Sequence, residues 1–290
     1  MARLPIQKTY KLYIGGKFPR TESGRYLQVR DEKGTLVANV CRASRKDFRM
    51  AVVAARKAQS GWASRTPFNR GQVLYRMAEM LESRAASFVD LIMTTTGAKK
   101  KDAQAEVDCA IDRLVWYAGW CDKFAQVFGC TNLVASSHFN FTIPEALGVL
   151  TSFAPASSSL LGVVQAIAPA ITQGNTVIAV TPIGMAPVAI EFAEVLATSD
   201  LPGGVVNILT GEISELHGHA TSHMDVDGVL AFGADHETQV AMGKAAADSV
   251  KRIKFEADPG LSGLMDDGAQ SPYQILPWVE FKTAWHPIGI

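Results

Sequence analysis

Charged residues, cysteines and long hydrophobic runs are all scarce in this sequence of 290 residues. Charged side chains make up 19% of the chain and hydrophobic ones 48%, a balance that excludes a disordered protein. No run of 18 apolar residues is present, so no membrane-spanning helix and no membrane partner are expected. We expect a reduced, cytoplasmic protein without disulfides, because no CxxC spacing occurs. All four cysteines are predicted to be small buried hydrophobes, namely Cys41, Cys109, Cys121 and Cys130.

Positive charge is absent from a long central stretch of the chain. No Lys or Arg occurs between Lys123 and Lys244, and that stretch holds 10 acidic residues. Residues 1–145 carry +10 (23 basic minus 13 acidic), whereas residues 146–290 carry −10 (5 minus 15). A segment without positive charge is a poor host for phosphates or nucleic acid, so no nucleic-acid partner is expected. The opposite charges of the two halves would suit pairing with a second chain.

The first half of the chain has the pattern of short strands followed by amphipathic helices. Strands punctuated by Gly-containing turns are predicted over 10–18, 25–31 and 35–40. Ser44 and Asp47 have the spacing of a helix capping box, and helices are predicted over 44–63, 67–92 and 102–127. The loose alternation of polarity over 134–143 predicts a strand of a hairpin.

From residue 148 the pattern changes to short apolar strands that alternate with helices. Strands are predicted over 148–154, 176–182, 204–211, 228–233 and 250–257. Strands of nearly continuous hydrophobicity with short connections indicate a parallel sheet covered by helices on both faces. The prediction is therefore an α/β protein with a Rossmann-like domain over 148–258. An N-terminal segment (1–147) precedes it, and an irregular tail (259–290) follows, with at most a short helix or strand around 273–283.

Short motifs in the same order and spacing resemble the aldehyde dehydrogenase superfamily along nearly the whole chain. They include YIGGKF (13–18), LGVLTSFAP (147–155), APAITQGNTVI (168–178) and LPGGVVNILTG (201–211). The chain is most similar to the degenerate, non-catalytic second domain of the two-domain aldehyde dehydrogenases (family sixteen). The resemblance implies the family's Rossmann-like sheet, N-terminal segment and hairpin, with the family's catalytic domain truncated away.

The resemblance also implies where the family's chemistry would lie. A family enzyme forms a thiohemiacetal on a cysteine, passes hydride to NAD(P), and hydrolyses the thioester with a Glu-activated water. Glu256 stands at the position of that general base. Ser157 stands at the position of the Asn that stabilises the oxyanion. No cysteine follows Cys130, so the sequence supplies no nucleophile at the family position.

The family's cofactor positions are altered in this sequence. The Lys that contacts the cofactor ribose would fall at Val180 or Thr181, and neither is charged. In the turn that faces the phosphates, Ala234 replaces a Gly and Asp235 replaces a Ser, and a carboxylate there repels a pyrophosphate. No cofactor is therefore expected. If the family site survives despite these changes, the cofactor would be NAD(P). The positions of this degenerate site are Phe153, Pro155, Thr181, Gly211, Phe232, Ala234 and Asp235.

Two other clusters have ordinary interpretations. His217, His219 and His223 have a spacing at which two imidazoles could share a metal on one helix face. They lie in a polar stretch, however, and no metal is expected. The serines at 157–159 lack the flanking glycines of a nucleophile elbow, and a helix cap is predicted instead.

The predicted function is that of a non-catalytic structural or assembly subunit in the aldehyde dehydrogenase family. Its partner would be a catalytic aldehyde dehydrogenase chain or a second copy of itself, with the hairpin strand near 134–143 at the contact. Two alternatives remain open. One is an NAD(P)-dependent aldehyde oxidoreductase completed by a partner chain. The other is a ligand-binding regulatory module, for which the retained Glu256 is the only specific support.

Overall fold

The computed structural model describes residues 8–289. Residues 1–7 of the predicted N-terminal segment (1–147) and residue 290 of the predicted tail (259–290) lie outside the described range. A small sheet comes first, with strands β1 (Thr9–Tyr10), β2 (Tyr26–Arg30) and β3 (Leu36–Cys41) in the order β1-β3-β2. The strands predicted over 25–31 and 35–40 are present in the structure. The strand predicted over 10–18 is wrong beyond Tyr10, because Tyr13 and Ile14 form only isolated bridges and the chain turns at Gly15 and Gly16.

The helices of the first half follow. They are α1 (Arg45–Ala63), α2 (Pro67–Glu82), α3 (Ala85–Thr96), α4 (Lys100–Ala118) and α5 (Phe124–Phe128). The capping box at the start of α1 is confirmed: the Ser44 hydroxyl accepts from the Asp47 amide, and the Asp47 carboxylate accepts from the Ser44 amide. The single helix predicted over 67–92 is wrong. Helix α2 ends at its C-cap Ser83, whose hydroxyl donates to the Met80 carbonyl (2.8 Å), and Arg84, with φ −113° and ψ 8°, leaves helical geometry before α3 begins.

A hairpin then leads into the main sheet. Strands β4 (Cys130–Asn132) and β5 (His138–Ala146) form the hairpin, and β6 (Val149–Phe153) begins the sheet. The remaining elements alternate: α6 (Leu161–Ile171), β7 (Thr176–Thr181), α7 (Ala186–Ala197), β8 (Val206–Thr210), α8 (Ile213–Ser222), β9 (Gly228–Phe232), α9 (His236–Ala247) and β10 (Arg252–Glu256). The strands are parallel in the order β10-β9-β6-β7-β8. The predicted α/β fold with a Rossmann-like parallel sheet is confirmed.

The core lies on both faces of this sheet. Every residue of β6, β7, β8 and β9 is buried, which is why these strands are nearly continuous apolar runs in the sequence. One hydrophobic cluster joins the sheet to α2, α3, α4, α6 and α7, and a second joins it to α1, α8 and α9. Strand order reverses at β6, because the chain leaves β8 at one edge and returns as β9 on the other side of β6.

The end of the chain is more ordered than the sequence suggests. After α10 (Gly260–Met265) and three short turns of helix, strand β11 (Val279–Pro287) pairs antiparallel with β5 over nine residues. The prediction of an irregular tail over 259–290 is therefore wrong, since the segment contains α10 and the nine-residue strand β11. Local pattern did not reveal β11, because its residues pair with a strand more than 130 positions away. The hairpin strand predicted over 134–143 corresponds to β5, which begins at His138 and lies between β4 and β11, so the long outer edge of this sheet belongs to β11.

The cysteines differ in environment. Cys41 and Cys121 are buried, and burial raises the pKa of the Cys121 thiol to about 12. Cys109 is partly buried and Cys130 is exposed. The prediction that all four are buried is wrong for Cys130, because it begins the short edge strand β4. No helix within residues 8–289 is both long enough and apolar enough to cross a membrane.

Candidate functional site

A cleft of about 240 Å³ opens at the carboxyl ends of the main-sheet strands, where the strand order reverses. In open α/β sheets, ligands bind at this position. Three residues predicted for the family's cofactor site, Phe153, Gly211 and Phe232, lie together on its wall. The full lining is Phe153, Ala154, Ala156, Val180, Pro182, Gly211, Glu212, Ile213, Phe232, Gly233 and Asp258.

The other predicted cofactor positions lie outside this lining. Thr181 stands between two lining residues, but its side chain is fully buried and its hydroxyl has no hydrogen-bond partner within the described residues. Pro155 is also buried, between two lining residues. Ala234 and Asp235 come directly after the lining residue Gly233.

Asp235 caps helix α9. Its carboxylate accepts from the Thr238 amide (2.7 Å), and hydrogen bonds from the Thr238 backbone and side chain lower the pKa of Asp235 below its ordinary value. The side chain is exposed to solvent. A helix N-terminus binds phosphate through its free amides and its dipole. Here a carboxylate of the chain itself takes one of those amides.

Asp258 is a site residue that the sequence interpretation missed. Its Oδ2 accepts from the amides of Ala156 (2.9 Å) and Ser157 (3.1 Å). Its Oδ1 accepts from the Ser157 hydroxyl and from the Gly260 amide (3.1 Å). Ser157, at the position of the family's oxyanion-stabilising Asn, thus donates its hydroxyl hydrogen bond to a carboxylate. The only sequence signal was an Asp-Pro-Gly turn at 258–260, directly after a predicted strand.

Glu256 is engaged elsewhere. It is the last residue of β10, and its Oε1 lies 2.5 Å from Lys254 Nζ. Lys254 also donates to Gln274 Oε1 (3.1 Å). Residues two apart in a strand project from the same face, so this ion pair forms along β10. The structure does not bring the Glu256 side chain to the lining of the cleft.

A second carboxylate, on α4, holds the start of α6 beside the cleft. Glu106 is 3% exposed. Its Oε1 accepts from the hydroxyls of Ser158 (2.7 Å) and Ser159 (3.3 Å), and from the amides of Leu160 (2.8 Å) and Leu161 (3.3 Å). Negative charge is stabilised at a helix N-terminus. The N-cap residue of α6 is Leu160 rather than one of the predicted serines, but the Ser158 hydroxyl, two residues earlier, accepts from the Gly162 amide (2.9 Å). Sequence reasoning missed Glu106, because it lies more than 50 residues from the helix it caps.

The charge of the cleft is negative. Its lining contains Glu212 and Asp258 and neither Lys nor Arg. A cleft lined by one sign of charge disfavours ligands of the same sign. As for metals, no group of three or more His, Cys, Asp and Glu side chains in the described part of the chain could hold an ion.

The strand order and the cleft at its reversal point define a Rossmann-type, oxidoreductase-like α/β fold. The chain matches the aldehyde dehydrogenase family over residues 19–260, and it belongs to that family.

Known relatives are considerably longer than this chain. An aldehyde dehydrogenase of Aspergillus niger is 31% identical over 284 residues, which cover 96% of this chain and 54% of the relative. The cytosolic 10-formyltetrahydrofolate dehydrogenase of Xenopus laevis is 29% identical over 259 residues, which cover 87% of this chain and 29% of the relative. An NAD+ complex of an aldehyde dehydrogenase from Bacillus cereus shares the fold, with a TM-score of 0.81, 23% identity, and coverage of 86% of this chain and 51% of that one. The chain spans about half the length of such relatives, or less.

Proposed function

We propose that this chain is a non-catalytic member of the aldehyde dehydrogenase family that serves as a structural or assembly partner of a catalytic aldehyde dehydrogenase chain. The observation that carries the proposal is the position of Asp258. Its carboxylate accepts from the Ala156 and Ser157 amides and from the Ser157 hydroxyl, which stands at the position of the family's oxyanion-stabilising Asn. A carboxylate already bound there repels a second negative oxygen.

The absence of a nucleophile from the cleft supports the same conclusion. None of the four cysteines lies in the cleft lining. Cys41 ends β3, Cys109 lies on α4, Cys121 follows α4, and Cys130 begins β4. Family chemistry begins with a cysteine thiolate attacking the aldehyde, and these 290 residues place no thiol where that attack could occur.

The donor chemistry of the cleft does not fit a dinucleotide pyrophosphate. Asp258 takes the amides after β6, and Asp235 takes an amide at the start of α9. No Lys or Arg side chain lines the cleft to offset these charges. Its volume of about 240 Å³ is also below the ~300–1,000 Å³ of typical ligand pockets. No catalytic step through NAD(P) is therefore proposed for this chain.

The three-stranded sheet of β4, β5 and β11 supplies a surface suited to the partner role. Within the described residues β11 pairs only with β5, so its other edge presents unpaired backbone groups, a template for another strand. Phe139, Phe141 and Ile143 share one face of the sheet, and Phe139 and Ile143 are 48% and 42% exposed. Trp285, on the opposite face, is 59% exposed. Exposed apolar groups beside an open edge favour association.

The decisive experiment is the native mass of the tagged chain purified from its own cells, with identification of the proteins that accompany it. A stoichiometric aldehyde dehydrogenase is the expected result. The double substitution Phe139→Asp/Ile143→Asp should release it, whereas Tyr26→Asp, which alters an exposed aromatic residue on another sheet, should not. A chain recovered alone, or only with itself, would contradict a catalytic partner.

Calorimetric titration of the purified chain with NAD+ tests the cofactor conclusion separately. We expect no binding at micromolar concentrations, because Asp235 and Asp258 occupy donor groups that a pyrophosphate would use. Micromolar affinity would contradict the degenerate-site interpretation and favour an oxidoreductase completed by a partner chain. In that case Asp235→Ser should strengthen the binding.

A further inference from the structure

A second cavity, of about 340 Å³, lies between α1 and α8 and shares no residue with the cleft. Two turns of α1 contribute Arg45 and Arg49, and the carboxyl-terminal half of α8 with the loop after it contributes His219, Ser222 and His223. The buried ring of Phe48 forms part of the wall, with its centroid 6.5 Å from that of the His223 imidazole.

The two arginines at this cavity have no carboxylate partners. Within residues 8–289 neither the Arg45 nor the Arg49 side chain forms a salt bridge or a hydrogen bond. Glu215 on α8 binds Arg42, and Asp227 binds Arg56 (2.6 Å). Asp225, two residues after His223, does not line the cavity, although its charge acts to raise the pKa of His223. The lining of this cavity therefore carries two guanidinium groups and no carboxylate.

Burial first, and nearby positive charge second, lower the pKa of both histidines. Burial, then Arg45 and His217, lower the pKa of His219 below 6.5. Burial lowers the pKa of His223 most; Asp225 opposes that shift, and Lys251, Arg49 and Arg56 add to it. Nδ1 of His223 accepts from the Asp225 amide (3.2 Å), which leaves Nε2–H as the donor of the neutral ring. An anion in the cavity would reverse these electrostatic effects.

We propose that this cavity binds a small phosphomonoester, with Arg45 and Arg49 holding the phosphate oxygens and His219 and His223 donating to them. Guanidinium groups present forked donors that match phosphate geometry. Two guanidinium groups match the charge of a dianionic phosphate better than that of a monoanionic carboxylate ligand. The cavity volume of about 340 Å³ falls within the range of ~300–1,000 Å³ for small-molecule sites. This site is independent of the partner role proposed above.

The test uses the full chain, histidine-selective isotope labelling and NMR titration with inorganic phosphate against chloride at equal ionic strength. Saturable binding should raise the pKa of both His219 and His223 by about one unit, as a nearby opposite charge does. Arg45→Gln and Arg49→Gln should each weaken the binding about tenfold or more, because each removes a charge-assisted contact. Arg20→Gln, which alters an unpaired exposed arginine elsewhere, is the matched control and should leave binding unchanged.

Three outcomes would overturn the proposal. One is equal histidine shifts with phosphate and with chloride. Another is a double variant, Arg45→Gln/Arg49→Gln, that binds phosphate as the native chain does. A third is glycerol 3-phosphate binding no more tightly than a phosphoserine peptide, which would assign the site to a phosphorylated protein. Thermal unfolding of each variant, measured in parallel, ensures that lost binding is not lost folding.

Discussion

Glu106 provides a sharp test of how the start of α6 is held. Its buried carboxylate accepts two backbone amides and two hydroxyls at a single oxygen, Oε1. Replacing Glu106 with Ala removes all four acceptor contacts at once. The Ser158 and Ser159 hydroxyls can rotate toward other acceptors, but the Leu160 and Leu161 amides are fixed by the backbone and lose their partner.

The structure sets the size of the effect. Each buried amide left without an acceptor costs about 1–3 kcal/mol. Loss of a negative charge at the N-terminus of a helix adds about 0.3–1 kcal/mol. With two such amides, Leu160 and Leu161, Glu106→Ala should lower the free energy of unfolding by about 2–7 kcal/mol. Glu106→Gln keeps an oxygen acceptor but loses the charge and the stronger hydrogen bonds that a charged acceptor makes, so its loss should be about 1–2 kcal/mol.

Urea unfolding followed by tryptophan fluorescence and circular dichroism measures these differences, provided that the denaturant slope stays constant. Glu82→Ala, at the end of α2, is the matched control: this exposed glutamate should cost less than about 0.5 kcal/mol. A loss for Glu106→Ala no larger than that of the control would refute the capping argument. Equal losses for Ala and Gln would assign the effect to charge alone rather than to the acceptor geometry.

Three further predictions concern backbone geometry and pH. Val250 is 93% exposed and has a φ of 52°, so Val250→Gly should raise the free energy of unfolding by about 1 kcal/mol, whereas Val240→Gly within α9 should lower it. Gly174 has a φ of +96°, and a Cβ there would lie 2.9 Å from Ala63 Cα; Gly174→Ala should lower the melting temperature, and Gly184→Ala, with open space around it, should not. His219 and His223 have lowered pKa values in the folded chain, so the unfolded chain binds more protons as pH falls below 6.5, and the free energy of unfolding declines. Chemical denaturation at pH 7.5 and 5.5 should show a smaller decline of this free energy in His219→Gln/His223→Gln than in the native chain. An equal decline would contradict the assignment.

Much of the architecture could be predicted from short stretches of sequence. The strands β6 to β9 are buried throughout, so each is an apolar run that can be recognised without knowledge of its neighbours. The capping box of Ser44 and Asp47 is likewise local. The family motifs assigned the chain correctly, since they lie in these same strands and turns.

The candidate site was only partly predictable. Phe153, Gly211 and Phe232 meet at the cleft because carboxyl ends of parallel strands share one edge of the sheet. Glu256 was matched by its position at a strand end, yet its carboxylate pairs with Lys254. Which group a side chain contacts depends on the strand face and on neighbours from distant segments, and sequence spacing reveals neither of these.

The sequence by itself determined the α/β class, the parallel sheet and the family, because hydrophobic periodicity and local caps act over a few residues. Only the tertiary structure decided which polar groups meet. Asp258 reaches Ser157 across 101 positions, Glu106 reaches Leu160 across 54, and β11 completes the sheet of β5. Buried donors and acceptors must be paired, and the chain satisfies them with partners that folding, rather than sequence proximity, brings within reach.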